Sequence, residues 1–192
     1  GAGADKEDEN VRALVAEVLP EAERAGVTLL IETAGIYADT RPLSTVLTAF
    51  ACDSLCALWD VHHPYRFAGE SPETTITNLG AYVKHVHLKD SVAAADGSVS
   101  YCLLGEGTLP LGEVFDALRS VSYDGFYSLE WDPAWQAELN DPSVVLAHFA
   151  SVVKTYQPSE KWKQTLYKNR AGTGRYVWRH DELINMTFPQ VL

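Results

Sequence analysis

Four times along this chain a short apolar run closes on a side chain able to bind a cation. Val27-Thr-Leu-Leu-Ile31 ends at Glu32, Leu55-Cys-Ala-Leu-Trp59 at Asp60, the stretch Val83–Leu88 contains His87, and Gly125-Phe-Tyr-Ser-Leu129 ends at Glu130. The intervals between these four residues are 28, 27 and 43 positions. A strand, a helix and their turns take about 30 residues, so each interval holds one such unit. Continuous apolar runs of this length suit strands buried on both faces, as in parallel sheets. The segments between them read as helices. Val11, Leu14, Val15, Val18, Leu19 and Ala22 make one helical stripe, with Asp5 or Asp8 as its cap and Gly26 after its end. Pro20 is expected to kink that helix.

Further helices are expected over about 42–51, from Ser71-Pro72-Glu73 to about Tyr82, over about 112–121, and from Asp141-Pro142 onward. In the last of these Val144, Val145, His148, Phe149 and Val152 share a face. A long loop with Gly97, Gly105 and Gly107 accounts for the widened third interval. Parallel strands joined by helices cross over right-handedly. A (β/α)₈ barrel needs roughly 250 residues, whereas 192 are present and only four strands are visible. The expected fold class is therefore α/β, a (β/α)₄ half of a TIM barrel over residues 1–155. Residues 156–192 break the pattern: Trp162, Tyr167, Tyr176, Trp178 and Phe188 lie among basic residues without periodicity, which reads as an extended arm or linker.

Active sites of parallel barrels are assembled from the C-terminal ends of several strands. Glu32, Asp60, His87 and Glu130 should accordingly converge. Three carboxylates and an imidazole are a donor set for one divalent cation, Mn²⁺ or Mg²⁺ by preference, with Co²⁺ or Zn²⁺ also accommodated. Any one of these carboxylates alone would be an ordinary loop residue or helix cap. Four in succession make the metal site the stronger reading. Lys89 follows His87 by two positions and shares its side of the strand; its alternatives are a group that neutralises a substrate anion and a salt bridge to Asp90 or Glu130. His85 is in phase with His87, as a supporting or core residue. Arg66 is a candidate for an anionic substrate group, with an exposed loop arginine as the plainer reading. Glu106, between two glycines, reads as a turn residue.

The formal charge is −11, but it is unevenly spread: residues 156–192 are +3 and residues 1–155 are −14. An acidic body is a poor partner for a phosphate backbone, which argues against nucleic-acid binding. No apolar stretch is long enough to span a membrane, and GAGADKEDEN has no apolar core of a secretory signal. Cys52, Cys56 and Cys102 form no CxxC and read as reduced thiols of a cytoplasmic protein.

IETAG, WDVHH, HVHLKD, LGEG and YDGFYSLEW, in this order, resemble the xylose isomerase-like TIM-barrel superfamily. Sugar phosphate isomerases and epimerases, inosose dehydratase, hydroxypyruvate isomerase and endonuclease IV belong to it. The resemblance covers about residues 5–155 and implies that Glu32, Asp60, His87 and Glu130 are the metal ligands. It also implies that these are strands five to eight, the C-terminal half of the barrel. The epimerase pattern puts a histidine three residues after the second ligand, which is His63; His62 competes for that role on substrate. The loop SVAAADGSVSYCLLGEG lacks the Asp-x-His of the endonuclease, so DNA repair is disfavoured. The epimerases' arginine beyond the third ligand is absent too, with Lys89-Asp90-Ser91 in its place.

The activity implied is metal-assisted proton transfer next to a carbonyl in a sugar, inositol or related polyol, through an enediolate. Glu32 and Glu130 would act as base and acid on either side of the reacting carbon. The competing expectation is a non-catalytic half barrel, a fragment or a subunit, because open sheet edges require another chain. That chain would be the missing N-terminal half or a second copy, giving an oligomer. A purely structural role would instead leave the four strand-end residues in salt bridges.

Overall fold

The computed structural model describes residues 2–131 and 141–156, and the backbone alone of 177–178. Its order is α1 (Ala2–Ala25), β1 (Leu29–Glu32), α2 (Thr40–Phe50), β2 (Leu55–Asp60), α3 (His62–Phe67), α4 (Pro72–Leu79), β3 (Val83–Leu88), β4 (Asp90–Ala93), β5 (Val99–Cys102), α5 (Leu111–Ser120), β6 (Phe126–Leu129), α6 (Pro142–Tyr156) and β7 (Val177–Trp178). Two 3₁₀ turns, Gly35–Tyr37 and Gly80–Tyr82, join these elements. The main sheet runs β1-β2-β3-β6-β7, with the first four strands parallel and β7 antiparallel on β6. The four expected strands are thus neighbours in sequence order, as successive right-handed crossovers require. Of the expected arm, only the two-residue strand β7 and Tyr156 lie within the described residues, so the reading of 156–192 is otherwise outside them.

Side-chain caps mark where α2 and α4 begin. Asp39 accepts the Arg41 N–H at the start of α2, and Ser71 accepts the Thr74 N–H at the start of α4, with Pro72 in the first turn. The left-handed Ala51 (φ 46°) ends α2. Three local expectations need correction. Asp5 and Asp8 do not cap α1, which starts at Ala2; Asp8 lies inside it and binds Arg12 at 2.6 Å and the Tyr37 hydroxyl at 2.8 Å. The long glycine loop carries the antiparallel hairpin β4–β5, turned through Asp96 and Gly97. The apolar stripe of α1 is split: Val15, Leu19 and Ala22 are buried, while Leu14 and Val18 are exposed.

Among the described residues, only the central strand β2 is buried on both faces, with Leu55, Ala57 and Trp59 on one and Cys56 and Asp60 on the other. Ala57, Trp59, Val86, Leu88 and Tyr127 alternate onto one face, under the helices, with Leu43, Val46, Leu47, Phe115 and Phe149 in the same core. Leu30, Leu58, His85, His87 and Ser128 alternate onto the other face and are all partly or largely exposed. Among the described residues the helices pack on one face of the sheet, and the other face, buried at Cys56 and Asp60, is lined toward the strand ends by polar side chains.

The register between β2 and β3 shifts between Ala57 and Leu58, so that Ala57 pairs Val83 but Asp60 pairs His87. Without the extra residue, Asp60 would face Val86, whose side chain points to the helices. A one-residue slip exchanges the two faces of a strand. This irregularity is what places Asp60 and His87 side by side.

Candidate metal centre

Glu32 ends β1, Asp60 ends β2, His87 lies near the end of β3, and Glu130 follows β6 directly, its N–H donating to the Leu88 carbonyl at 3.0 Å. Each of the four residues offers a ligand atom, and these atoms lie within 4.8 Å of one another. His87 Nδ1 stands 3.2 Å from Glu32 Oε1. This contact holds the Glu32 carboxyl below its ordinary range, against the opposing effect of partial burial.

Lys89 completes the cluster. Its side chain is 4% exposed, and its Nζ lies 2.6 Å from Asp60 Oδ2 and 3.0 Å from His63 Nε2, while also pairing with Glu130. Of the two salt bridges expected for Lys89, the structure forms the one to Glu130 and adds Asp60 in place of Asp90. Burial works against the Lys89 charge, but the Asp60 and Glu130 carboxylates hold the ammonium above its ordinary pKa. Burial and a shared hydrogen bond with Asp60 push Glu130 upward, with Lys89 opposing the shift.

Asp60 is fixed from several sides. Its Oδ1 accepts the backbone N–H groups of His62 (2.8 Å) and His63 (3.2 Å), and its own N–H donates to the Thr33 hydroxyl. That hydroxyl in turn donates to the Asp60 carbonyl at 3.0 Å. Asp60 and Thr33 are fully buried. Thr33, adjacent to Glu32, thereby couples the end of β1 to Asp60. The sequence reading missed this residue, although its place immediately after Glu32, at the end of an apolar strand, was visible.

The two histidines separate. His63 is partly exposed and reaches Lys89, while burial, then the Lys89 charge, depresses its pKa. His62 is fully buried with Nε2 2.8 Å from Ser91 Oγ, and burial brings its pKa down to about 3. Asp60, His62 and His63 form a second group with ligand atoms within 4.8 Å, sharing Asp60 with the first. Arg66, in α3, is not an exposed loop residue. Its Nε donates to Ser91 Oγ at 2.9 Å, and its guanidinium also binds the Ser91 carbonyl and Thr108 Oγ1. His85 bonds Ser128 Oγ at 2.8 Å, and burial brings its pKa to about 4. Glu106 is exposed at the turn, as expected.

Asp90 was not anticipated as an anchor. It is buried, and its carboxylate accepts from the N–H groups of Ser91 (2.7 Å), Gly105 (2.9 Å), Gly107 (3.1 Å) and Leu109 (3.2 Å). Gly105 has φ +86°, and a Cβ on Gly107 would overlap Asp90 Oδ1. The motifs HVHLKD and LGEG are therefore two halves of one contact.

The four residues are a group that could hold a divalent cation. Three carboxylates and an imidazole converge from four strand ends, and the Lys89 ammonium already sits against two of the carboxylates. Among the described residues, no helix is long and apolar enough to cross a membrane.

A profile of the family described as xylose isomerase-like TIM barrel matches residues 1–150. No curated protein sequence matches. Among solved structures, a xylose isomerase domain protein from Planctomyces limnophilus superposes with a TM-score of 0.61 at 18% identity, over 77% of this chain and 51% of its own. D-allulose 3-epimerase from Methylomonas sp. gives 0.64 at 15% identity, over 78% and 56%. The IOLI protein, in a structure with a zinc atom bound, gives 0.65 at 15% identity, over 80% and 57%. At these identities the likeness is one of fold, and the chain spans about half the length of the structures it matches.

Proposed function

Because the chain belongs to the xylose isomerase-like TIM barrel family, we propose that it is the metal-bearing half of a barrel that moves a proton next to a carbonyl in a sugar, inositol or related polyol. The observation that carries this reading is the convergence of four ligand atoms, from four successive strand ends, within 4.8 Å of one another. Glu32, Asp60, His87 and Glu130 would hold one divalent cation. Three oxygen donors favour Mn²⁺ or Mg²⁺, and the imidazole admits Co²⁺ or Zn²⁺. When bound, the ion supplies Lewis-acid polarisation of substrate oxygens.

The chain's own residues divide the remaining work. Glu32 and Glu130 come from the two outermost of the four parallel strands, so a substrate between them meets a carboxylate on each side. Their surroundings differ: Glu32 faces the His87 imidazole, Glu130 the Lys89 ammonium and Asp60. Different surroundings allow one carboxylate to take a proton while the other gives one. His63, partly exposed beside Lys89, is placed to bind a substrate oxygen, with Lys89 behind it. His62 and Arg66 act at one remove, by holding Ser91 and the loop that follows Lys89. Isomerisation, epimerisation and dehydration all begin with this proton transfer.

The four strands are assigned to the C-terminal half of the barrel on the resemblance of their motifs. Leu30 on the open face of the sheet and Leu14 and Val18 on α1 are exposed apolar groups. They favour completion of the barrel by an N-terminal half of four further strands, on which the full pocket would depend. A second reading, a half barrel with no catalysis of its own, draws on the same open face.

Metal analysis of the 192-residue chain dialysed against Mn²⁺ tests the site directly. One ion per chain is expected, with loss of most of it in Glu130→Gln and Asp60→Asn. Absence of any stoichiometric divalent ion, or full retention in both variants, would sink the metal-centre reading.

A further inference from the structure

We propose that Lys89 is a tethered counter-cation of the carboxylate cluster, competing with a divalent ion for Asp60 and Glu130 and so setting how tightly the cluster holds it. The inference rests on the metal-centre reading above and goes beyond it, because it assigns a role to a residue outside the ligand set.

The geometry points to competition for one atom. Asp60 Oδ1 already accepts two backbone N–H groups, from His62 and His63. Oδ2 is the oxygen left to a cation, and the Lys89 Nζ lies 2.6 Å from it. The same ammonium pairs with Glu130, the carboxylate on the opposite side. Two of the three carboxylates that would surround a divalent ion are therefore already paired with a positive charge supplied by the chain.

That charge is held in place at its base. Leu88 is the last residue of β3, and Asp90, the residue after Lys89, is fastened by the N–H groups of Ser91, Gly105, Gly107 and Leu109. The Lys89 backbone lies between a central strand and this anchored carboxylate, and its side chain is almost wholly enclosed. A divalent ion entering the cluster must either displace the ammonium from its ion pairs or accept a like charge a few ångströms away. Both alternatives weaken binding. The benefit is that three gathered carboxylates never face each other without a cation. The cluster thus folds before it meets a metal, and ion uptake becomes an exchange.

Lys89→Met keeps the length and apolar stem of the side chain and removes its charge. Isothermal titration of Mn²⁺ into chelator-treated protein should show the dissociation constant falling by about tenfold or more in the variant, as for one like charge removed from a poorly solvated site. The melting temperature of the chelator-treated variant should fall, and Mn²⁺ should raise it by more than in the wild type. Lys89→Arg, which retains the charge, should bind Mn²⁺ no more tightly than the wild type. If Lys89→Met lacks the wild-type far-ultraviolet circular dichroism, Lys89→Gln is titrated in its place and read in the same way. A wild type that binds Mn²⁺, with a neutral variant that binds it equally or more weakly, overturns the counter-cation and leaves the metal centre standing. Failure of wild type and variants alike to bind overturns both.

Discussion

At the residue scale, the cluster is built as much by its supports as by its ligands. Thr33 spends its hydroxyl on both the N–H and the carbonyl of Asp60. Thr33→Val preserves shape and removes this polar link, leaving a buried N–H unpaired. It should cost about 1–3 kcal/mol of unfolding free energy in urea titration and weaken Mn²⁺ uptake. Asp8 offers a pH test remote from the cluster. Partial burial opposes its charge, but Arg12 and the Tyr37 hydroxyl outweigh this and hold its pKa below the ordinary value. A carboxyl depressed in the folded state contributes stability above its unfolded pKa and loses it as pH falls through the folded one. Asp8→Asn should therefore be less stable than wild type near pH 6, by about 1 kcal/mol, and the gap should close below about pH 3–4, the ordinary Asp range and under. Paired urea denaturation curves across that range measure it. The four candidate ligands were legible in the sequence because each lies at or next to the end of a strand-like run. Thr33 and Asp90 were not legible as supports, because their partners lie 27 and 15–19 positions away.

At the element scale, the hairpin β4–β5 and the turn around Gly105–Gly107 are locked to the strand end by Asp90. Gly107 is required by close approach: a Cβ there would overlap the Asp90 carboxylate and stand 2.5 Å from the Ser91 carbonyl oxygen. Gly107→Ala should destabilise the chain by about 1–3 kcal/mol through this overpacking. Gly97→Ala, where a Cβ meets nothing within 4 Å, should carry only the strain of its positive φ. Comparing the two by thermal unfolding separates contact from backbone strain. The four parallel strands and the helices between them followed from the sequence pattern, but the short helix α3 and the hairpin did not. Its alternation is short, and it pairs with itself rather than with the main sheet. The β2–β3 register shift was likewise hidden, since nothing local marks which residue is skipped.

At the scale of the whole molecule, the described helices pack on one face of the parallel sheet, and the partly exposed residues Leu30, Leu58, His85, His87 and Ser128 lie on the other. The solved structures that match are about twice as long, and this chain covers 51–57% of each. On the reading that the barrel is completed by further chain, light scattering is expected to give a mass above that of one 21.1 kDa chain, with the β1 edge and the exposed Leu14, Val18, Val27 and Leu30 as the apolar surface to be covered. A well-behaved monomer would count against completion of the barrel by further chain. The repeat of apolar run and polar end determined by itself that this protein is a parallel α/β unit and which four residues close its strands, because strand periodicity and residue chemistry are local properties. Only the tertiary structure decided that those residues meet, that Lys89 stands among them, and that the described helices pack on one face of the sheet. Register, long-range pairing and burial depend on contacts between distant parts of the chain, and no local pattern encodes them.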